Sequence, residues 1–310
     1  MDKVEIQGEK FKWQDSQFAS SHLHLVSESG FTLIELIMVI VITGIIGSMV
    51  AVFLKAPIQQ YMDVARRAEL SDIADTAFYQ LAADISTAVP NSIRIAGCGA
   101  SPCVEFLPAR AAGRYRAQWD MSNPASAVGD VLDFTQAGDR SFDIIGTPMT
   151  FAAGDHIVIG STQSDGASAY EVGASGVLRA YAGATGAPLT NVVFSALQFP
   201  SYAELETRRF DVVDGVHQAV TYSCEGTMGV IDGNGQGSLW KHWGYGFHAL
   251  QVASAALGGS KALLADKLSA CAMDYSPVNQ RFGLLGVRLT LTSGGESVSL
   301  YQEIHVSNVP

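Results

Sequence analysis

The chain has 310 residues, 48% of them hydrophobic and only 16% charged, too apolar for a disordered protein and long enough for one large or two small cores. Lys and Arg number 19 against 30 Asp and Glu, a net charge of -11, so the cationic surface that nucleic acid requires is missing and no nucleic-acid partner is expected. Four cysteines fall as a close pair, Cys98 and Cys103, and a distant pair, Cys224 and Cys271; neither has the second CxxC or the His spacing of a zinc site, so they read as two disulfides formed in an oxidising compartment.

Residues 1–30 carry Lys3, Lys10 and Lys12 among Asp2, Glu5, Glu9, Asp15 and Glu28, and no fold is built on them. From Phe31 to Leu54 the chain turns apolar, and Leu36 to Leu54 is 19 residues without one charge, about the length of a helix that spans a bilayer. A removable signal peptide would have a shorter apolar core and small residues at its end, which Pro57 and its bulky neighbours do not supply, so the segment is read as retained. Glu35 is out of place near the start of this helix. It either sits at the membrane interface, favoured by the helix dipole, or needs a cationic partner.

Pro57 interrupts the helical pattern and Gly44 and Gly47 loosen it earlier, so a kink or local unwinding is expected near these positions, after which the helix resumes. Leu70, Ile73, Ala77, Leu81, Ile85 and Ala88 then recur at steps of three and four. Arg66, Arg67, Glu69, Asp72 and Asp75 fall mainly elsewhere, and Asp63 and Arg67 are spaced for an i,i+4 pair. This predicts an amphipathic second half, stopped by Pro90-Asn91. Beyond it, β-like runs separated by Gly, Pro, Asn and Asp cover Val131–Thr135, His156–Gly160, Val192–Phe199, Ala219–Cys224, Leu284–Thr292 and Ser297–Val306, whereas Lys261–Ala270 reads as helical and Ser161–Gly186 as surface loops. The expected class is α+β, with a long N-terminal helix over residues 31–89, membrane-spanning at 31–54, packed on one β-rich head of residues 90–310.

Glu28-Ser29-Gly30-Phe31-Thr32-Leu33-Ile34-Glu35 before a long apolar helix resembles the processing site of type IV prepilins. The resemblance implies the type IV pilin fold, cleavage after Gly30 by a prepilin peptidase, methylation of the new amino terminus at Phe31, and a role for Glu35 in assembly. It implies a single-pass inner-membrane subunit with a periplasmic head that later enters an extracellular pilus, packing by its N-terminal helix against other minor and major pilins. A carboxylate four residues from a cationic amine can neutralise its own or a neighbour's, and a pair costs far less than two lone buried charges. The leader over residues 1–30 departs from the usual short, basic form, so either it is a long variant or translation begins at a later residue. FLKAPIQQYMDVARRAELSDIADTAFYQLAADI, VEFLPARAAGRYR, LLADKLSACAMDYSP and GESVSLYQEIHVSNVP resemble more narrowly the O-type minor pilins of the mannose-sensitive haemagglutinin (MSHA) pilus, and in plan the J-type minor pseudopilins of type II secretion.

Other features are weighed against plainer roles. The Cys98–Cys103 loop has no electropositive CxxC setting that would suggest redox work, and both bridges read as structural. Asp232-Gly-Asn234-Gly-Gln236-Gly begins like a calcium loop, but its twelfth position is Trp243 and an Asn-Gly turn explains it as well; no metal and no cofactor are expected. Trp240, His242, Trp243, Tyr245, Phe247 and His248 could stack on sugar rings or simply pack in a core. Asp155-His156 and the scattered serines form no nucleophile, base and oxyanion signature, so catalysis is not expected, and Arg110, Arg114 and Arg116 read as solvating a loop. The functions left in contention are a structural minor pilin, a tip adhesin and a membrane-anchored enzyme.

Overall fold

The computed structural model describes residues 30–95, 98–99, 101–117, 129–163, 168–195 and 197–308; the expected leader, apart from Gly30, lies outside them. The chain divides into two compact units, residues 1–58 and residues 59–310. One helix, α1 (Leu33–Ile85), contributes to both. The strands follow as β1 (Cys103–Phe106), β2 (Ala109–Tyr115), β3 (Ser141–Ile145), β4 (Met149–Thr150), β5 (His156–Ile159), β6 (Leu178–Ala180), β7 (Pro188–Leu189) and β8 (Asn191–Val193). Then come β9 (Arg209–Val213), β10 (Val220–Glu225), β11 (Val230–Ile231), β12 (Asn234–Gly235), β13 (Gly237–Trp243) and β14 (Ser260–Asp274), the short helix α2 (Pro277–Phe282), β15 (Leu284–Ser293) and β16 (Glu296–His305). The expected α+β layout is present.

In the first unit α1 stays α-helical through Gly44, Gly47 and Pro57, so the unwinding expected there does not occur. Pro57 removes one donor, whereas breaking the helix outright would strand several carbonyls. The helix also ends at Ile85, before Pro90: Ser86 to Ala88 continue in hydrogen-bonded turns, and the Val89 N–H donates to the Leu107 carbonyl at 2.8 Å.

The second unit holds two antiparallel six-stranded sheets. The first, ordered β1-β10-β13-β14-β15-β16, draws on both ends of the unit's sequence; the second, ordered β6-β5-β9-β2-β3-β8, is built from the stretch between β1 and β10. The chain therefore crosses between sheets at β1–β2 and returns at β9–β10. One core joins the C-terminal part of α1 to the first sheet: Leu70, Ala74, Ala77, Phe78, Leu81 and Ile85 pack with Phe106, Tyr222, Leu239 and alternate residues of β15. Ala74 and Phe78 complete the stripe that the sequence spacing outlined, and Ile73 lies at its half-buried edge. The second core is aromatic, with Phe142 against Phe210 at 5.1 Å and Phe194 against Phe199 at 5.0 Å between ring centroids.

Four local expectations are overturned, the first in part: Ser161–Gly186, read as surface loops, holds the buried turn Ser168–Tyr170 and strand β6, which pairs with β5. Lys261–Ala270 is strand, not helix: its helix-forming residues lie inside β14, bonded to β13 on one side and β15 on the other, with a register shift at Leu268–Ala270 beside Lys267 at φ 58. Val131–Thr135 is not strand, because the Asp133 carboxylate accepts the Thr135 N–H at 2.8 Å and its hydroxyl at 2.6 Å, a local turn that competes with a ladder. Val192–Phe199 is strand only at its start, since the Leu197 and Gln198 carbonyls accept instead from the Arg179 guanidinium at 2.8 and 2.7 Å. The anticipated Asp63–Arg67 pair is also replaced: Asp63 pairs with Arg66 at 3.3 Å, and Arg67 reaches Glu296 at 2.6 Å.

Candidate functional site

The candidate processing and assembly residues lie in the first unit, where the apolar helix begins. Thr32 is the N-cap: its carbonyl accepts the Leu36 N–H at 3.1 Å, and its hydroxyl accepts the Glu35 N–H at 3.3 Å. Thr32 and Glu35 thus have the T-x-x-E spacing of a capping box, with the acidic residue in the first turn where the helix dipole favours it. Such a cap contributes about 1 kcal/mol to the helix start. Thr32 was not singled out from the sequence, although that spacing was there to be read.

Phe31, Leu33 and Ile34 are strongly exposed, as is Glu35. A Cβ placed on Gly30 would meet nothing within 4 Å among the described residues, so folding does not require glycine there. From Leu36 onward, the only side-chain polar groups up to Leu54 are Thr43 and Ser48, and both are satisfied inside the helix. Thr43 donates to the Val39 carbonyl at 2.6 Å and Ser48 to that of Ile45 at 2.7 Å. With its backbone bonded as a helix, this stretch offers hydrocarbon no unsatisfied hydroxyl, as a membrane span requires. It is long and apolar enough to cross a bilayer.

In the second unit Cys98 is bonded to Cys103, and Cys224 to Cys271. The second bridge ties β10 to β14, which are separated in the sheet by β13. Gln251 donates to both sulfurs of the first, at 3.2 and 3.1 Å. Asp232 and Gly233, at φ 49 and 75, form the tight turn between β11 and β12, so the turn is Asp-Gly rather than Asn-Gly. The Asn234 side-chain oxygen accepts the Gly294 N–H at 3.1 Å. Among the described residues no group of three or more His, Cys, Asp or Glu is arranged to hold a metal ion.

The aromatic run of β13 and its sequel is divided between separate environments. Trp243 packs on the first core, while Tyr245 and Phe247 pack on the second. Trp240 carries Lys261 4.4 Å above its ring, and His242 meets Glu225 at 2.7 Å. The Tyr245 hydroxyl, 2.6 Å from that of Thr221, donates to Glu105 at 2.9 Å; burial first, then the Glu105 charge, pushes its ionisation far above the ordinary tyrosine range. Asp155 is fully buried, pairs with Arg110 and accepts the Ala152 N–H at 2.8 Å. His156 is held below its ordinary pKa chiefly by burial and contacts the Gly154 carbonyl at 2.8 Å. The loop expected for Arg110, Arg114 and Arg116 is instead strand β2 and its end, where Arg116 pairs with Asp143 at 3.6 Å and Arg114 stays exposed.

No curated protein and no solved structure matches the chain. Residues 26–51, which include Gly30, Phe31, Thr32 and Glu35, match the prokaryotic N-terminal methylation motif, the type IV pilin-like prepilin signal.

Proposed function

We propose that this chain is a non-catalytic, low-copy minor pilin that initiates assembly of an MSHA-type pilus and so supports attachment to surfaces. Prepilin peptidase cuts after Gly30, Phe31 is methylated, and the stem holds the subunit in the inner membrane until it is drawn into the fibre. The observation that carries the reading is the contiguous run from Gly30 to Glu35, capped by Thr32 and followed by an uncharged helix. A merely anchored enzyme needs the helix but not the cleavable glycine or the carboxylate.

Glu35 acts in assembly by meeting the Phe31 amine of its own chain or of the subunit beside it. Moving a lone carboxylate into an apolar fibre core is costly, and pairing removes most of that cost. A subunit at the extreme tip would have no neighbour above it to satisfy, so a retained Glu35 favours a place just below the tip. The head, residues 90–310, is too bulky to repeat at high density on a thin shaft. Quantitative mass spectrometry of sheared fibres tests the assignment: a few copies per fibre are expected, and abundance comparable to the major subunit would overturn it.

A further inference from the structure

The first sheet presents to solvent a face that its packing on α1 leaves open. Along β15, Leu285, Val287, Leu289 and Leu291 enter the core, while Arg288, on the opposite face, is exposed. Arg288 lies across from Tyr301 of β16 and from Ala272 of β14, and Gly286 lies across from Asp274 and Glu303. The Tyr301 ring leans across the strands onto Gly286: a Cβ there would stand 3.0 Å from the tyrosine hydroxyl and 3.5 Å from the ring. Tyr301 is nonetheless 54% exposed. The Tyr301 hydroxyl donates to Glu303 at 3.0 Å, and the Arg288 guanidinium carbon stands 5.5 Å from the ring centroid. Ala272, Asp274, Gly286, Arg288 and Tyr301 line a concavity of about 280 Å³.

We propose that this concavity is a carbohydrate-binding site for a neutral, hydroxyl-rich sugar ring. A half-exposed aromatic ring, braced by Gly286 and with the Arg288 guanidinium offset over it, offers apolar surface for the C–H face of a pyranose. Beside it stand groups that grip vicinal hydroxyls, a planar guanidinium donating and the Asp274 carboxylate, which also accepts the Ser276 N–H at 2.9 Å, accepting; Glu303, held by the Tyr301 hydroxyl, lies next to the concavity. Two carboxylates against one guanidinium disfavour sialic or uronic acids. The volume falls just under the roughly 300–1,000 Å³ of pockets for drug-sized ligands, which suits one sugar ring rather than a buried chain. The site uses none of the aromatic residues of β13 and stands independently of the pilin reading.

The test is retention of the full-length chain, held in lipid nanodiscs, on an array of immobilised neutral hexose and N-acetylhexosamine oligosaccharides beside sialylated counterparts. The wild type is expected on neutral glycans, Tyr301→Ala should lower retention at least tenfold, and Tyr301→Phe, which keeps the ring, should retain most of it. Circular dichroism on each variant verifies the fold; because Tyr301 lies outside both cores, an unchanged spectrum is expected. Absence of wild-type retention, retention on acidic glycans alone, or retention undiminished in Tyr301→Ala would overturn the proposal.

Discussion

Removing the Cys224–Cys271 bridge should destabilise the second unit far more than removing Cys98–Cys103. The two bridges close loops with sequence separations of 47 and 5. With a loop-closure entropy of about 2.1 + 1.5R ln n cal/mol/K, the long loop contributes about 4 kcal/mol at 25 °C and the short one about 2 kcal/mol. At roughly 2–4 °C per kcal/mol for a unit of this size, Cys224→Ala/Cys271→Ala should lower the midpoint of thermal unfolding by roughly 8–16 °C, and Cys98→Ala/Cys103→Ala by about half as much. The assay is circular dichroism of the β signal on detergent-solubilised full-length chain, with and without reductant. Reductant should lower the wild-type midpoint and leave a variant lacking both bridges unchanged. Equal losses in the two double variants, or a larger loss from the short loop, would refute the loop-length reasoning.

Glu35→Ala should sharply lower the number of fibres per cell in a complemented deletion strain while membrane insertion persists, and normal piliation would show the carboxylate to be dispensable. Leu81→Ala, which truncates a fully buried contact between α1 and the first sheet, should cost about 2–5 kcal/mol in denaturant unfolding. Asp84→Asn weakens the acceptor for the Tyr222 hydroxyl, 2.6 Å away, and removes the charge that pairs with Lys241; a loss of about 1.5–3 kcal/mol is expected by the same measurement. Asp214 is held below its ordinary 3.8 by the Val216 N–H and by His217, although burial pulls the other way. Because its folded pKa is depressed, its stabilisation is present above 3.8 and lost as pH falls through the folded value, so Asp214→Asn should flatten the acid limb of a stability-against-pH curve.

What could be read from the sequence was what is encoded locally. The uncharged run after Glu35 and the three- and four-residue steps from Leu70 to Ile85 declare a helix because neighbours along the chain share its faces. β15 and β16 are legible for the same reason, their alternation being joined by the Gly294-Gly295 turn. β14 was not, because Lys261–Ala270 favours helix and is strand only by pairing with β13 and β15. Asp133 and Arg179 divert backbone groups from ladders through side-chain bonds that no periodicity reveals. The candidate processing residues are contiguous within the matched motif, so they stand out in one dimension. The Tyr301 platform does not, since it depends on Gly286 lying beneath a ring from the next strand and on Asp274 one strand further over.

The most direct measurement is the amino terminus of the mature chain, read by mass spectrometry of protein recovered from membranes and sheared fibres. The account predicts a chain beginning at Phe31 with a methylated amine and with its apolar helix intact. A chain still carrying residues 1–30, or one cut after Leu54, would contradict it.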